Sequence, residues 1–377
     1  MNAEKLLFAI TDIDDRFIES AEKNSTAHNK KALAALAACI AVIVAGFFVY
    51  NSQPNKELPM LSVADFNSGG MGMEAYWAYS IDELINSSPV TAESTPKSLP
   101  VYINTLYDSM STGEYESTDT EENKKLLLDA AEKLKMNTAE LTPTYDSRIN
   151  TLYVEDENYI VEIGFIKSIN ITAKNKNALP EGYALDFYGS YNEYYKTAEY
   201  LKEEYSAFLC MKKPVINIYG GDYDIYGRRS LHLEIYDGAG ADTEQLNSFC
   251  FNKVRFYTDD EGLLHISESR YDLTQLAGVY PIISKDEALG MLLNGKYITS
   301  VFQEIKDKDK IKKVELVYYT SLLSETFMPY YKFYVEIENT GDIAKTFPNM
   351  KTYGAYYVPA IKSKYIEALP QWDGHIN

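Results

Sequence analysis

Apolar residues recur along this chain with two periods, and helical stretches alternate with strand-like ones. Between Asn192 and Phe208, the residues Tyr194, Ala198, Leu201, Tyr205 and Phe208 step by four, three, four and three, which puts them on one face of an amphipathic helix. Leu127, Ala130, Ala131 and Leu134 form a similar face within Glu121 to Met136. A third helix is predicted from the capping box Ser284-x-x-Glu287 through Ala288, Leu289, Leu292 and Leu293 to a stop at Asn294-Gly295.

Runs of period two follow each helix. They are Ile149 to Glu155 and Tyr159 to Thr172 after the first, and Val215 to Tyr219, Ser230 to Tyr236, Ser248 to Tyr257 and Leu263 to Ser267 after the second. After the third come Lys313 to Thr320, Tyr330 to Ile337 and Tyr353 to Val358. In Val314, Leu316, Tyr318 and again in Tyr331, Phe333, Val335, Ile337 every second residue is apolar, as a sheet with one buried face requires. The predicted architecture is α+β, with helices packed on antiparallel sheets. Helix starts near 121, 192 and 285 are too unevenly spaced for a strict repeat.

One stretch has neither period. Ala32 to Tyr50 is an uncharged apolar run of 19 residues, long enough as a helix to cross roughly 28 Å, about one hydrocarbon core. Lys23, Lys30 and Lys31 precede it and the next basic residue is Lys56, so the positive-inside rule predicts a cytoplasmic N-terminus and an extracytoplasmic remainder. A cleaved signal peptide would have a shorter leader and a small-residue site, whereas 31 residues precede this run and Phe47-Phe48-Val49-Tyr50 closes it. Leu36-Ala37-Ala38-Cys39 matches a lipoprotein box, the main rival to a retained membrane helix, but eleven residues of the run follow that cysteine.

The predicted organisation is a cytoplasmic head at 1–31, a membrane helix at 32–50, and an extended linker and N-terminal ectodomain segment at 51–120. An α+β ectodomain at 121–275 and a C-terminal α+β region at 276–377 complete it. The segment from Asn51 to about Thr120 holds Pro54, Pro59, Pro89, Pro96 and Pro100 and a glycine cluster at 69, 70 and 72, although Met73 to Leu84 is apolar enough to pack.

In the head, Leu6, Ile10, Ile13, Phe17 and Ala21 fall within about an 80° sector of a helix. Asp12, Asp15, Arg16, Glu19 and Glu22 lie opposite. Such a stripe is too short to bury its own face and is expected to dock on a protein through Leu6, Ile10, Ile13 and Phe17. The rival is the inner membrane surface, where anionic lipid would favour Lys and Arg on the polar side.

Composition narrows the functional classes. With 36 Lys+Arg against 55 Asp+Glu the formal charge is −19, which argues against nucleic acid as a partner. The head carries only a net −1, so the excess lies beyond the apolar run. Hydrophobic residues make up 46%, enough for one or two cores. Cys210 and Cys250, beyond the apolar run, cannot make a disulfide framework; they form either one bridge or two buried thiols.

Glu4-Lys5-Leu6-Leu7 through Ile13-Asp14-Asp15-Arg16-Phe17-Ile18 resembles the cytoplasmic head of single-pass, anti-sigma-factor-like membrane proteins of Clostridia-type Gram-positive bacteria. The outer portion resembles an uncharacterised extracytoplasmic family of the same bacteria, through Leu99-Pro100-Val101-Tyr102, Gly220-Gly221-Asp222-Tyr223 and Lys351-Thr352-Tyr353-Gly354-Ala355-Tyr356-Tyr357-Val358-Pro359-Ala360. The unit from Tyr280-Pro281 to Tyr357 is similar to PepSY-like modules of secreted regulators and membrane-anchored inhibitors. The first resemblance implies a sigma factor or similar regulator as the cytoplasmic partner; the others import no activity.

No catalytic constellation stands out. The chain has no HExxH, no Cys-x-x-Cys and no G-x-S-x-G elbow. His232 and His265 could meet across a sheet, yet ordinary sheet residues are the better reading. Gly70-x-Gly72-x-x-Ala75 follows no strand and reads as flexible rather than dinucleotide-binding. Asp222-x-Asp224-x-x-Gly227 begins like a calcium loop, but Tyr226 and Leu233 occupy two ligand positions, so a tight turn is expected. The 33 tyrosines suggest sugar stacking, but Tyr194, Tyr205, Tyr318 and Tyr331 follow helix or strand periods and are expected to pack. No cofactor and no metal is expected. The sequence reads as a non-enzymatic membrane-anchored regulatory protein with an extracytoplasmic sensing or binding domain; the alternative is a surface-anchored binding or structural protein without a signalling role.

Overall fold

A computed structural model describes residues 57–63, 73–90, 96–176, 178–186, 189–305, 307–339 and 342–374. The predicted head, with Leu6, Ile10, Ile13 and Phe17, and the apolar run at 32–50 lie outside the described residues. Among the described residues no helix is long and apolar enough to cross a membrane. Residues Leu58–Asn377 form one unit, and its described part is an α+β fold with antiparallel sheets.

A four-stranded sheet is ordered β1 (Ala75–Ala78), β15 (Lys351–Pro359), β14 (Pro329–Ile337), β12 (Ile311–Tyr318), and a three-stranded one β11 (Leu276–Pro281), β2 (Ser98–Ile103), β13 (Thr326–Phe327). The eight-stranded sheet is ordered β3 (Thr144–Asp146), β4 (Thr151–Glu155), β5 (Tyr159–Ile163), β6 (Ile169–Ala173), β10 (Leu264–Glu268), β9 (Lys253–Thr258), β8 (Arg229–Asp237), β7 (Pro214–Tyr223). Seven helices occur among the described residues: α1 (Tyr107–Thr112), α2 (Glu121–Lys133), α3 (Tyr191–Glu204), α4 (Ser206–Leu209), α5 (Asp242–Cys250), α6 (Lys285–Leu293) and α7 (Asp342–Thr346).

Helices α2 and α3 form where predicted because both ends are specified. Thr120 caps α2 by accepting from the Asn123 amide, and Ser190 and Glu193 close a reciprocal box on α3. Their apolar faces, Leu127, Ala130 and Ala131 on α2 and Tyr194, Ala198 and Leu201 on α3, pack on Val154, Val161, Ile171, Leu233, Ile235 and Phe256 of the eight-stranded sheet. A second core forms around Leu316, Tyr331, Phe333, Tyr356 and Val358, with Ala288 and Leu292 of α6 against it. Helix α6 starts and stops as its sequence signals require, with Ser284 and Glu287 boxed and Gly295 at a φ of 72° beyond the Asn294 cap.

The structure corrects several expectations. Ser248 to Tyr257 is not one strand: α5 runs to Cys250 and β9 starts at Lys253. Phe249-Cys250-Phe251 mimics alternation, but Leu246 and Phe249 are one helical turn apart and both buried. Tyr159 to Thr172 is two strands separated by a turn, and the helix expected to reach Phe208 breaks at Tyr205 into α3 and α4. Within the segment read as extended linker, β1 pairs with β15 and β2 sits between β11 and β13. Ala75 of the glycine-rich motif opens β1, while Gly70 and Gly72 lie outside the described residues. Asp222 to Gly227 is the expected turn: the Asp224 side chain accepts from the Tyr226 and Arg228 amides, and Gly227 has a φ of 73°. Tyr194, Tyr205, Tyr318 and Tyr331 are buried, as expected for packing. Cys210 and Cys250, the cysteines among the described residues, are both free, and Cys210 is exposed rather than buried. Burial pushes the Cys250 thiol up to about 11.

Candidate functional site

The four-stranded sheet has two buried faces of opposite character. Tyr331, Phe333 and Val335 of β14 enter the second core, as their alternation requires. Their neighbours Tyr330, Lys332 and Tyr334 point the other way, where period-two logic predicts water. That face is closed instead. At the sheet edge β1, preceded by Glu74, adds to this face, and the 3-10 turn Ile81–Glu83 with the stretch after it turns back onto it, so Leu84 packs with Ala78, Tyr334 and Tyr353 and its carbonyl accepts from Lys313.

Two carboxylates and two lysines are trapped under this cover. Lys332 Nζ donates to Glu74 Oε1 at 2.7 Å and to Tyr76 OH at 2.8 Å, and its side chain is 12% exposed. The rings of Tyr76 and Tyr334 lie 4.9 Å from the ammonium and that of Tyr357 lies 5.7 Å away, a cation–π cage. Glu74 also accepts from the hydroxyls of Tyr76 and Tyr357. Burial alone would raise the Glu74 carboxyl; the Lys332 charge and the hydrogen bonds from Lys332, Tyr76 and Tyr357 outweigh it and hold the group below its ordinary value. Burial would lower Lys332, but the oxygens of Tyr334, Tyr357, Glu74 and Tyr76 keep its pKa well above the usual. Tyr334 and Tyr357 are raised by burial. The pair is ionised at neutral pH.

Glu315 is the register partner of Lys332 across β12 and β14, yet the two have no mutual bond. Glu315 Oε2 accepts from Tyr334 OH at 2.9 Å, while Lys313 Nζ lies 2.7 Å from Oε1 and donates to the Leu84 carbonyl. Glu315 Oε1 is buried and accepts no hydrogen bond from the described residues. Beside it opens a cavity of about 410 Å³, lined among others by Asn86, Glu315, Tyr319, Lys332, Tyr334 and Tyr357.

No protein-family model matches this chain, and no curated protein and no solved structure matches it. The site therefore rests on its own chemistry. A wider cleft of about 1010 Å³ opens where the β8–β9 ladder stops at Leu233 and Phe256. Of its charged lining, Arg255 bonds Glu234 at 3.2 Å, Asp259 meets His265 at 2.9 Å, Lys176 lies 3.7 Å from Glu261, and Arg228 pairs with Asp224. The smaller cavity is the better candidate, because the buried Glu315 and the largely enclosed Lys332 form part of its wall.

His232 and His265 do not meet. They share a sheet face, but β9 runs between β8 and β10, and Tyr257 of β9 stacks on His265 at 5.0 Å. His232 Nε2 lies 3.0 Å from Ser230 Oγ. Among the described residues no group of three or more His, Cys, Asp or Glu is placed to hold a metal ion. Glu74, Glu315 and Lys332 were not singled out from sequence, since Tyr-Lys-Tyr-Glu on one face of β14 reads as a wetted surface. The usable signal was the apolar content of Met73 to Leu84, which has to cover something.

Proposed function

We propose that this chain is a non-enzymatic, membrane-anchored signalling or regulatory protein whose extracytoplasmic domain binds a small polar ligand in the cavity beside Lys332 and Glu315. One observation carries the binding reading: a cavity of about 410 Å³ opens beside the enclosed Lys332–Glu74 and Lys313–Glu315 ion pairs, with Lys332 and Glu315 in its wall. The charged groups around it are tied to one another rather than arranged as nucleophile and base, which suits recognition better than chemistry. Anchoring rests on the run from Ala32 to Tyr50 and on the Lys30-Lys31 flank. The signalling role rests on the apolar stripe of the head and on its resemblance to anti-sigma-type heads, with a sigma factor or similar regulator as the cytoplasmic partner.

Two experiments test this assignment. Protease added to intact, wall-stripped cells is expected to remove residues 58–377 and spare a small N-terminal fragment; a protected domain would overturn the topology. Pull-down with full-length protein is expected to recover a cytoplasmic partner. The double substitution Ile10→Asp and Phe17→Asp should weaken that capture by about a hundredfold or more, since burial of each side chain is worth about 1.5–3 kcal/mol. Identical captures from both baits would remove the signalling role and leave a surface-anchored binding protein.

A further inference from the structure

Two cavities follow one another along β12. The one beside Lys332, of about 410 Å³, is walled on this strand by Glu315, Val317 and Tyr318. A second, of about 360 Å³, is walled by Lys312 and Lys313 of the same strand and by Asp82 and Ser87 of the segment that turns back onto the sheet. Asn86 stands in both walls, where Asn217 Nδ2 of β7 donates to its Oδ1 at 3.2 Å. The Lys313–Glu315 ion pair, at 2.7 Å, places one member in each wall. The two spaces are therefore neighbouring compartments of one site, each of a size usual for small-molecule binding.

Resting on the binding reading above, we infer that these compartments take two adjoining units of a neutral sugar chain. Charge argues against an ionic ligand. Lys312, Lys313 and Lys332 in the walls are matched by Asp82, Glu315 and the Glu74 that Lys332 holds, so a net charge on the ligand would go unanswered. What the walls do offer is hydrogen bonding of both kinds. An ammonium has three protons, of which Lys332 gives two to Glu74 and Tyr76, and Asn86, Ser87, Thr320 and Ser321 add amide and hydroxyl groups. A sugar hydroxyl both donates and accepts, as a serine hydroxyl does, so a ring carrying several of them suits a mixed wall without bringing a charge. The larger compartment also holds the rings of Tyr319, Tyr334 and Tyr357. Tyr334 and Tyr357 are buried and Tyr319 is half-buried, so Tyr319 is the ring on which the C–H face of a sugar can pack. Among the described residues lining the smaller compartment none is aromatic, which places the stacked unit beside Lys332.

The test is calorimetric titration of the full-length protein in a sugar-free detergent. The probes are glucose and N-acetylglucosamine, their disaccharides cellobiose and diacetylchitobiose, the ionic relatives cellobiuronate and deacetylated chitobiose, and an end-capped alanine tripeptide. At least one neutral disaccharide is expected to bind, at least about tenfold tighter than its monosaccharide because it fills both compartments. Its ionic relative should bind at least about tenfold more weakly than the neutral parent. Tyr319→Phe, which keeps the ring, should bind as the native protein does, whereas Tyr319→Ala should lose at least about tenfold with an unchanged circular dichroism spectrum. Equal affinity for the ionic relatives, a disaccharide bound no tighter than its monosaccharide, or undiminished binding by Tyr319→Ala would each overturn the assignment; the first two comparisons use native protein and stand even if Tyr319→Ala does not fold. Binding of the tripeptide but of no sugar would overturn the ligand class and leave the binding reading standing. Silence toward every probe would count against both.

Discussion

Gly221→Ala is expected to destabilise the domain by about 4 kcal/mol, combining a positive-φ penalty of about 1–2 kcal/mol with an overpacking cost of about 1–3 kcal/mol. Gly221 has a φ of +99°, and a Cβ there would lie 1.8 Å from the backbone oxygen of Glu83. A flexible side chain could retreat from such a contact; this carbonyl cannot, because Arg229 Nη2 donates to it at 2.9 Å and Ile85, two residues on, is bonded in both directions to Gly220. The β7–β8 register skips between Gly220 and Tyr223, so the glycines form the bulge on which the covering segment rests. Gly262→Ala is the control. Its φ is +80° with nothing within 4 Å of the added carbon, so it should cost only the conformational penalty of about 1–2 kcal/mol. Urea midpoints of the two variants decide the matter, and equal losses would show that the segment does not bear on the bulge.

Removing the buried cation is the second large effect. Lys332→Met should cost about 3 kcal/mol at neutral pH, the lower end for a broken buried pair, since the Glu74 side chain keeps 25% of its surface exposed. The pH dependence is the sharper readout. In the native protein the Glu74 carboxyl lies below its ordinary 4.5. The stability it contributes is therefore complete above that value and is lost as pH falls through the folded-state pKa. Without Lys332 burial dominates, the folded carboxyl rises above its unfolded value, and stability is lost as pH rises instead. Urea midpoints at pH 5 and pH 8 should shift in the destabilising direction for Lys332→Met on going to the higher pH. Adding Glu74→Gln should remove that slope. A variant with the slope of the native protein would show that the carboxylate finds other compensation.

The sheet order was not legible in the sequence, but the core faces were. Tyr331, Phe333, Val335 and Leu316 are buried because strand alternation is a local property, readable within eight residues. The closure of the opposite face is non-local. Nothing around Lys332 announces that Glu74 and Tyr76 will lie on it, since their position follows from Ala75 pairing with Gly354. The candidate site was missed for the same reason. Its members come from β12, β14, β15 and the approach to β1, and each reads locally as an exposed charge or tyrosine. Helix α5 was misread through competing signals: Phe249 and Phe251 flank a cysteine in strand style, while Asp242 and Glu244 supply the acidic first turn of a helix.

The pairing of β1 with β15 also sets a timetable. A ribosome delivers β1 and β2 early, but the strands that complete their sheets, β11, β13 and β15, are near the far end of the chain. Until Lys351–Pro359 arrives, β1 has no partner and the Lys332 face no cover, so the second core cannot close by instalments as the chain emerges. The eight-stranded sheet, whose strands all lie between Thr144 and Glu268, has no such wait. Nascent chains halted before Lys351 should therefore resist protease through the eight-stranded sheet and remain sensitive at β1, and during that interval an unpaired edge is open to other chains.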